Sequence, residues 1–199
     1  MTSDDLFVWV YLPGRQAPVV AGRLGLSQTA AGKVGRFTYG RSYLERPDAI
    51  PLDPLTLPLK KGEYSFTSLS GFPGVILDSC PDRWGVKVID RLVGQQDYPH
   101  GYILRNDPGR AGALAYSTRA TEAPQEQSSR EFSLAQLLTA AENVESDRPV
   151  DGELLKALHP GTGGARPKCN VFEDEAVWIA KFPSIDDAPL VSIPRLEHA

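Results

Sequence analysis

The chain has 199 residues, 41% of them hydrophobic and 23% charged. That is enough for one sizeable core or two small ones and is ordinary for a globular protein. A net charge of −4, with Lys60-Lys61 as the longest basic stretch, argues against direct nucleic-acid binding, which needs a clustered Lys/Arg face; if DNA is touched, a partner makes the contact. No apolar run approaches the roughly 18–20 residues of a membrane span. The opening MTSDDLF carries acids where a secretory signal would carry Lys or Arg, so a cytoplasmic location is expected. Cys80 and Cys169 match no metal-ligand spacing and read as free thiols, and His100, His159 and His198 cluster with nothing.

Residues 6–12 (LFVWVYL) are rich in β-branched and aromatic side chains and end at the turn signal Pro13-Gly14. Residues 18–26 (PVVAGRLGL) and 33–39 (KVGRFTY) follow as two more glycine-bounded strands. Three closely spaced strands predict an antiparallel meander. Residues 47–58 hold four prolines in twelve residues, which excludes a helix interior or a central strand and predicts extended backbone.

Residues 82–92 (DRWGVKVIDRL) place Trp84, Val88, Ile89 and Leu92 on one helical face, with Pro81 at the entry and Gly94 at the exit. This helix is read as core packing, with Asp78 and Asp82 as cap and surface groups. A second helix is expected over about 97–106 and a short strand over 112–117 (GALAYS). The polar run 119–130 reads as a surface linker and the domain boundary. Beyond it, residues 133–143 start with the capping-box pair Ser133 and Gln136 and carry the apolar stripe Leu134, Leu137, Leu138 and Ala141. A short helix over 152–158, strands over about 168–173 and 176–182, and the opening of a last helix at Ile193 complete the chain.

The chemistry-bearing segment is 159–182, HPGTGGARPKCNVFEDEAVWIAKF. Gly161, Gly163 and Gly164 precede a strand pair, and glycines let successive backbone N–H groups approach an anion. Arg166 and Lys168 add positive charge. The loop lacks the Gly-Lys-Ser/Thr close of a P-loop, and Arg166 stands where the third glycine of G-x-G-x-x-G would be. By itself it reads either as a tight surface turn or as a phosphate loop. Lys181 lies thirteen residues after Lys168 in WIAKF, where Trp178, Ala180 and Phe182 alternate with Ile179 and Lys181, as in a strand with one buried face. A lysine on such a strand is the setting of the kinase lysine that meets ATP phosphates, and an exposed lysine on an edge strand is the alternative. Glu197, sixteen residues further on at a helix start, has the place of the glutamate that orients such a lysine.

GGARPK followed by WIAKFPS resembles the ATP-binding region of HipA-like serine/threonine kinases, the toxins of HipBA-type toxin–antitoxin pairs. GRFTYGRSYLE, the LPL of 57–59, FPGVILDSCPDRWG and GALAY resemble landmarks of the HipA N-terminal region, in the same order. The resemblance implies an α+β fold: a β-rich N-terminal subdomain with a helical insert over 1–118, a linker over 119–131, and an incomplete kinase small lobe over 132–199. It implies that Gly163, Gly164, Ala165 and Arg166 cover the ATP phosphates, that Lys168 starts the next strand, that Lys181 contacts the α/β-phosphates and that Glu197 holds Lys181. Many relatives carry in this loop a serine whose phosphorylation silences the kinase; Gly161 stands there here, leaving Thr162 as the fallback acceptor.

The family's catalytic and Mg²⁺-binding aspartates belong to a C-terminal helical lobe, and after Asp187 the only carboxylate side chain is Glu197. The 199 residues alone are therefore expected to bind ATP without catalysing transfer, with no catalytic residue among them and the Mg²⁺ ligands in that lobe. The leading expectation is the front part of a HipA-like kinase, with a helix-turn-helix antitoxin and a separately encoded kinase lobe as partners. The alternatives are a non-catalytic regulatory module of a split toxin–antitoxin system and a truncated gene product.

Overall fold

The computed structural model describes residues 5–30, 32–67, 70–105, 112–124, 132–158, 164–173 and 176–187. Its elements run β1 (Leu6–Val10), β2 (Val19–Thr29), β3 (Gly32–Tyr39), α1 (Arg41–Leu44), β4 (Glu63–Phe66), α2 (Gly74–Leu77), α3 (Arg83–Val93), α4 (His100–Arg105), β5 (Leu114–Ser117), α5 (Leu134–Glu145), α6 (Gly152–Ala157), β6 (Lys168–Glu173) and β7 (Ala176–Lys181). The fold is α+β, and the chain divides into two compact units. The first comprises Met1–Cys80, Tyr98–Leu104 and Gly112–Gln125; the second comprises Pro81–Asp97, Arg105–Ala111 and Glu126–Ala199. The helix read from the sequence at 82–92 thus belongs to the second unit, so that unit takes in a stretch from the middle of the 1–118 segment.

The first unit is built on a five-stranded sheet ordered β4-β3-β2-β1-β5, antiparallel throughout. Its first three strands are the expected meander. In β3, Phe37 and Tyr39 are buried while Arg36 and Thr38 are exposed, the two-residue period of a sheet with one wet face. Leu6, Val8, Val10, Leu24, Phe37 and Tyr39 pack with Tyr43, Phe72, Ile76 and Ile103 from the helices and loops above the sheet. Gly35 is obligatory on steric grounds: a Cβ there would lie 1.7 Å from the Gly71 carbonyl oxygen.

The proline-rich stretch is tied to this core through two tyrosines. The Tyr39 hydroxyl donates to the Leu57 carbonyl (2.6 Å) and accepts from the Leu52 amide (2.8 Å), and the Tyr43 hydroxyl donates to the Ile50 carbonyl (2.8 Å). Burial pushes the Tyr39 hydroxyl up to about 12. Rather than running extended throughout, the stretch turns at Asp53, whose carboxylate accepts from Leu55 N (2.9 Å) and whose backbone bridges to Leu57.

The second unit packs α3, α5 and α6 with the β6–β7 hairpin. Trp84, Val88, Leu137, Ala140, Ala141, Val144, Leu155, Leu158, Cys169 and Phe182 form its core, each larger apolar side chain contributing about 1.5–3 kcal/mol on burial. Helix α3 starts at the N-cap Asp82 and stops at Gly94, whose φ of +78° suits glycine. Helix α5 carries the complete capping box: Gln136 N donates to Ser133 Oγ (3.3 Å) and Ser133 N donates to Gln136 Oε1 (3.0 Å). Its buried stripe is Leu137, Ala140, Ala141 and Val144, whereas Leu134, expected on that stripe, is exposed at the first helical position.

Candidate functional site

The β6–β7 hairpin sets the geometry of the site. Lys168 pairs with Lys181, Cys169 with Ala180, and Asn170 with Ile179. Residues directly opposite in an antiparallel pair share a face, and successive residues alternate faces. Cys169 is fully buried and Ala180 packs against the same core. Lys168, Asn170, Ile179 and Lys181 therefore share the other face. The two lysines stand directly across from each other, with Cβ separations of about 5 Å expected for such a pair.

The two ammonium groups occupy different environments. Lys181 is exposed, whereas Lys168 is only 8% exposed. Lys168 Nζ is tucked against the end of the glycine loop: Gly164 has φ +130°, and a Cβ there would fall 1.9 Å from it. The backbone angle favours glycine at 164, and a side chain there would also have to displace the Lys168 ammonium. The Lys168 main chain is held by Trp84, whose buried indole N–H donates to the Lys168 carbonyl (2.8 Å). At the open end of the hairpin, Phe182 N extends the ladder between the strands by donating to the Pro167 carbonyl (2.9 Å).

Asp82, the N-cap of α3, comes close to the same lysine. Its Oδ1 accepts from Gly85 N (3.4 Å), and its Oδ2 is buried without a hydrogen-bond partner, 3.9 Å from where a Gly164 Cβ would be. Burial pushes the Asp82 carboxyl above the usual carboxylate range, against the lowering effects of the Gly85 amide and Lys168. Asn170 Oδ1, on the lysine face, is a second buried oxygen without a partner.

Arg166 is half-buried and paired with the Asp187 carboxylate. That pairing holds the Asp187 carboxyl below its usual range, and Asp187 Oδ2 also accepts from Ser184 N (3.1 Å). Ala165 is exposed between Gly164 and Arg166. Gly163, Thr162 and Glu197 lie outside the described residues. Of the expected set, the structure thus brings Gly164 and Lys168 together, sets Lys181 opposite Lys168, and occupies Arg166 with Asp187. Trp178 corrects the strand pattern: it is 60% exposed although Val171, directly opposite it, packs against the core, so on this strand the buried side is carried by Ala180 and Phe182. Trp84, Asp82, Asp187 and Asn170 carried no local signal of a place near the site. Asp82 was legible as a cap, but its neighbour Lys168 comes from a distant part of the sequence.

The model of the HipA N-terminal domain matches residues 17–116, half of the chain. The chain belongs to the HipA family. The HipA match runs from the β1–β2 loop through β5 and takes in Asp82 and Trp84, while Lys168 and Lys181 lie beyond it. No curated protein matches the chain. No helix among the described residues is long and apolar enough to cross a membrane.

The HipA chain's own residues fit an anionic group on the lysine face. Two lysines stand opposite each other on one face of the hairpin, and the missing Cβ at Gly164 leaves room for the Lys168 ammonium against the loop backbone.

Proposed function

We propose that this HipA-family chain holds the phosphates of ATP, as the N-terminal part of an ATP-dependent serine/threonine protein kinase of the toxin type. The reading is carried by one observation, the cross-strand pairing of Lys168 with Lys181 on the face opposite the buried Cys169–Ala180 pair. Gly163, Gly164, Ala165 and Arg166 would line the phosphates. Lys168 would meet them from beneath the loop, Lys181 would contact the α/β-phosphates, and Glu197 would orient Lys181. ATP supplies the phosphoryl group, and Mg²⁺ supplies the positive charge that phosphoryl transfer requires.

The contribution of this chain is positional and electrostatic. Two lysines ordered by a hairpin keep their charges in place before the nucleotide arrives, so little reorganisation is needed on binding. The catalytic carboxylate and the Mg²⁺ ligands would come from a helical lobe, and a helix-turn-helix antitoxin would be the regulatory partner.

Isothermal titration of the chain with Mg-ATP tests the reading. Binding in about the micromolar to millimolar range is expected, weakened about tenfold or more by Lys181→Ala. A folded wild-type chain with no affinity, or affinity untouched by Lys181→Ala, would refute it.

A further inference from the structure

An N-cap needs only one side-chain oxygen. Ser, Thr and Asn supply it as well as Asp does, and they bring no charge. At the head of α3 the residue is nevertheless Asp82, with one oxygen on the Gly85 amide and the other buried without a hydrogen bond. Burying a carboxylate oxygen in this way opposes folding unless an opposite charge offsets it. Lys168 is that charge. A point that would be occupied by a Gly164 Cβ lies 1.9 Å from Lys168 Nζ and 3.9 Å from Asp82 Oδ2, which puts the two groups within about 6 Å, the range in which opposite charges act on each other's ionisation.

Helix α3 therefore reaches β6 in two ways two residues apart. Trp84 holds the Lys168 carbonyl, and Asp82 faces the Lys168 side chain. We propose that Asp82 is a positioning residue of the anion site, its carboxylate anchored at the head of α3 so that it aims the Lys168 ammonium at a bound phosphate. This rests on the nucleotide reading above and extends it, because it adds a group from α3 to a site otherwise made of loop and hairpin. The lowered stability of a buried carboxylate is then retained for function, as at sites whose groups are held in costly environments.

The test uses the whole chain with Asp82→Asn, which keeps the N-cap and removes only the charge. Titrations with Mg-ATP and with inorganic tripolyphosphate are run from pH 4 to pH 7.5. The groups facing the Asp82 carboxyl are the Lys168 ammonium from β6 and the Gly85 and Trp84 amides of α3. Because burial raises the Asp82 carboxyl, the charge difference between wild type and variant narrows toward the acid end, and the difference in binding should narrow with it. As it ionises, the wild type should gain an advantage that reaches about tenfold at pH 7.5 (about 1.4 kcal/mol). Over the same range the variant should melt at or above the wild-type temperature, because it is spared the buried charge; a purely structural cap would not separate the two readouts. Equal or tighter binding by Asp82→Asn at pH 7.5, or a wild-type advantage that is constant with pH, overturns the proposal. If Lys181→Ala still loses affinity in that case, the nucleotide reading survives alone. If the folded wild type binds neither probe, the nucleotide reading falls and the positioning role with it.

Discussion

Trp84→Phe probes the link between α3 and the candidate site. Trp84 is 2% exposed in the second unit's core, and its indole N–H is given to the Lys168 carbonyl at 2.8 Å. A phenyl ring removes that donor and leaves a buried carbonyl exposed to no water, at a cost of about 1–3 kcal/mol. It also leaves a void the size of the lost pyrrole edge. Complete truncation of a buried Trp costs about 3–5 kcal/mol, and phenyl retains most of the ring, so the packing loss is about 1 kcal/mol. The total is about 2–4 kcal/mol, or a midpoint shift of about 1–2 M urea for a slope near 2 kcal/mol/M. The two units permit separate readouts. Helices α3, α5 and α6 are the longer helical content, so ellipticity at 222 nm follows mainly the second unit. With Trp178 also replaced by Phe in both chains, Trp9, buried in the first unit with its indole N–H on Ser117 Oγ (2.8 Å), reports on that unit by fluorescence in the Trp84→Phe variant. The expected result is an early loss of ellipticity with the Trp9 transition in place. A 222 nm midpoint shifted by less than the equivalent of about 1 kcal/mol would refute the assigned bond and packing.

Two glycine substitutions should part sharply. Gly35→Ala drives a Cβ into the Gly71 carbonyl and should lower stability by more than about 3 kcal/mol or abolish soluble expression, whereas Gly74→Ala at the open start of α2 should be neutral or stabilise by up to about 1 kcal/mol in thermal melts. Ser133→Ala removes the α5 cap and should cost about 1 kcal/mol in urea denaturation, with Ser133→Asp restoring most of it. Burial pushes the Cys169 thiol up to about 12 while Cys80 is only half-buried, so thiol labelling at pH 8 should modify Cys80 first and Cys169 only on unfolding; equal rates would contradict the core assignment. Arg166 holds the Asp187 carboxyl low, so the stabilisation from that pair is present above the ordinary carboxylate range and is lost as pH falls through the lowered value. Carboxyl NMR should show Asp187 titrating below the ordinary carboxylate range, and Arg166→Gln should move it back up toward that range.

Local pattern was enough for the meander, for α3 with its Asp82 start and Gly94 stop, and for the Ser133–Gln136 cap, because strand alternation and capping are interactions among near neighbours in sequence. The short elements α1, α2 and β4 left no such trace. Each is four residues long, and one turn or four extended residues has no stability of its own, so packing against the Tyr43 and Ile76 core decides them. Exposure of Trp178 likewise escapes the alternation rule, which sets it on the same face as the core residues Ala180 and Phe182.

At the candidate site, Gly164, Lys168 and Lys181 could be picked from the chain only in combination, since the loop alone also reads as a tight turn and it is the order of glycines, strand lysine and helix-start Glu197 that points to a phosphate. That Lys168 is buried beneath Gly164, that it stands directly across from Lys181, and that Asp82 and Trp84 reach it from 84 or more residues away were settled only by the tertiary structure. The physical reason is that register and helix docking are fixed by simultaneous contacts among distant segments. Each such contact is too weak to be encoded in any one segment, so it exists only once the second unit's core has closed around Trp84 and Cys169.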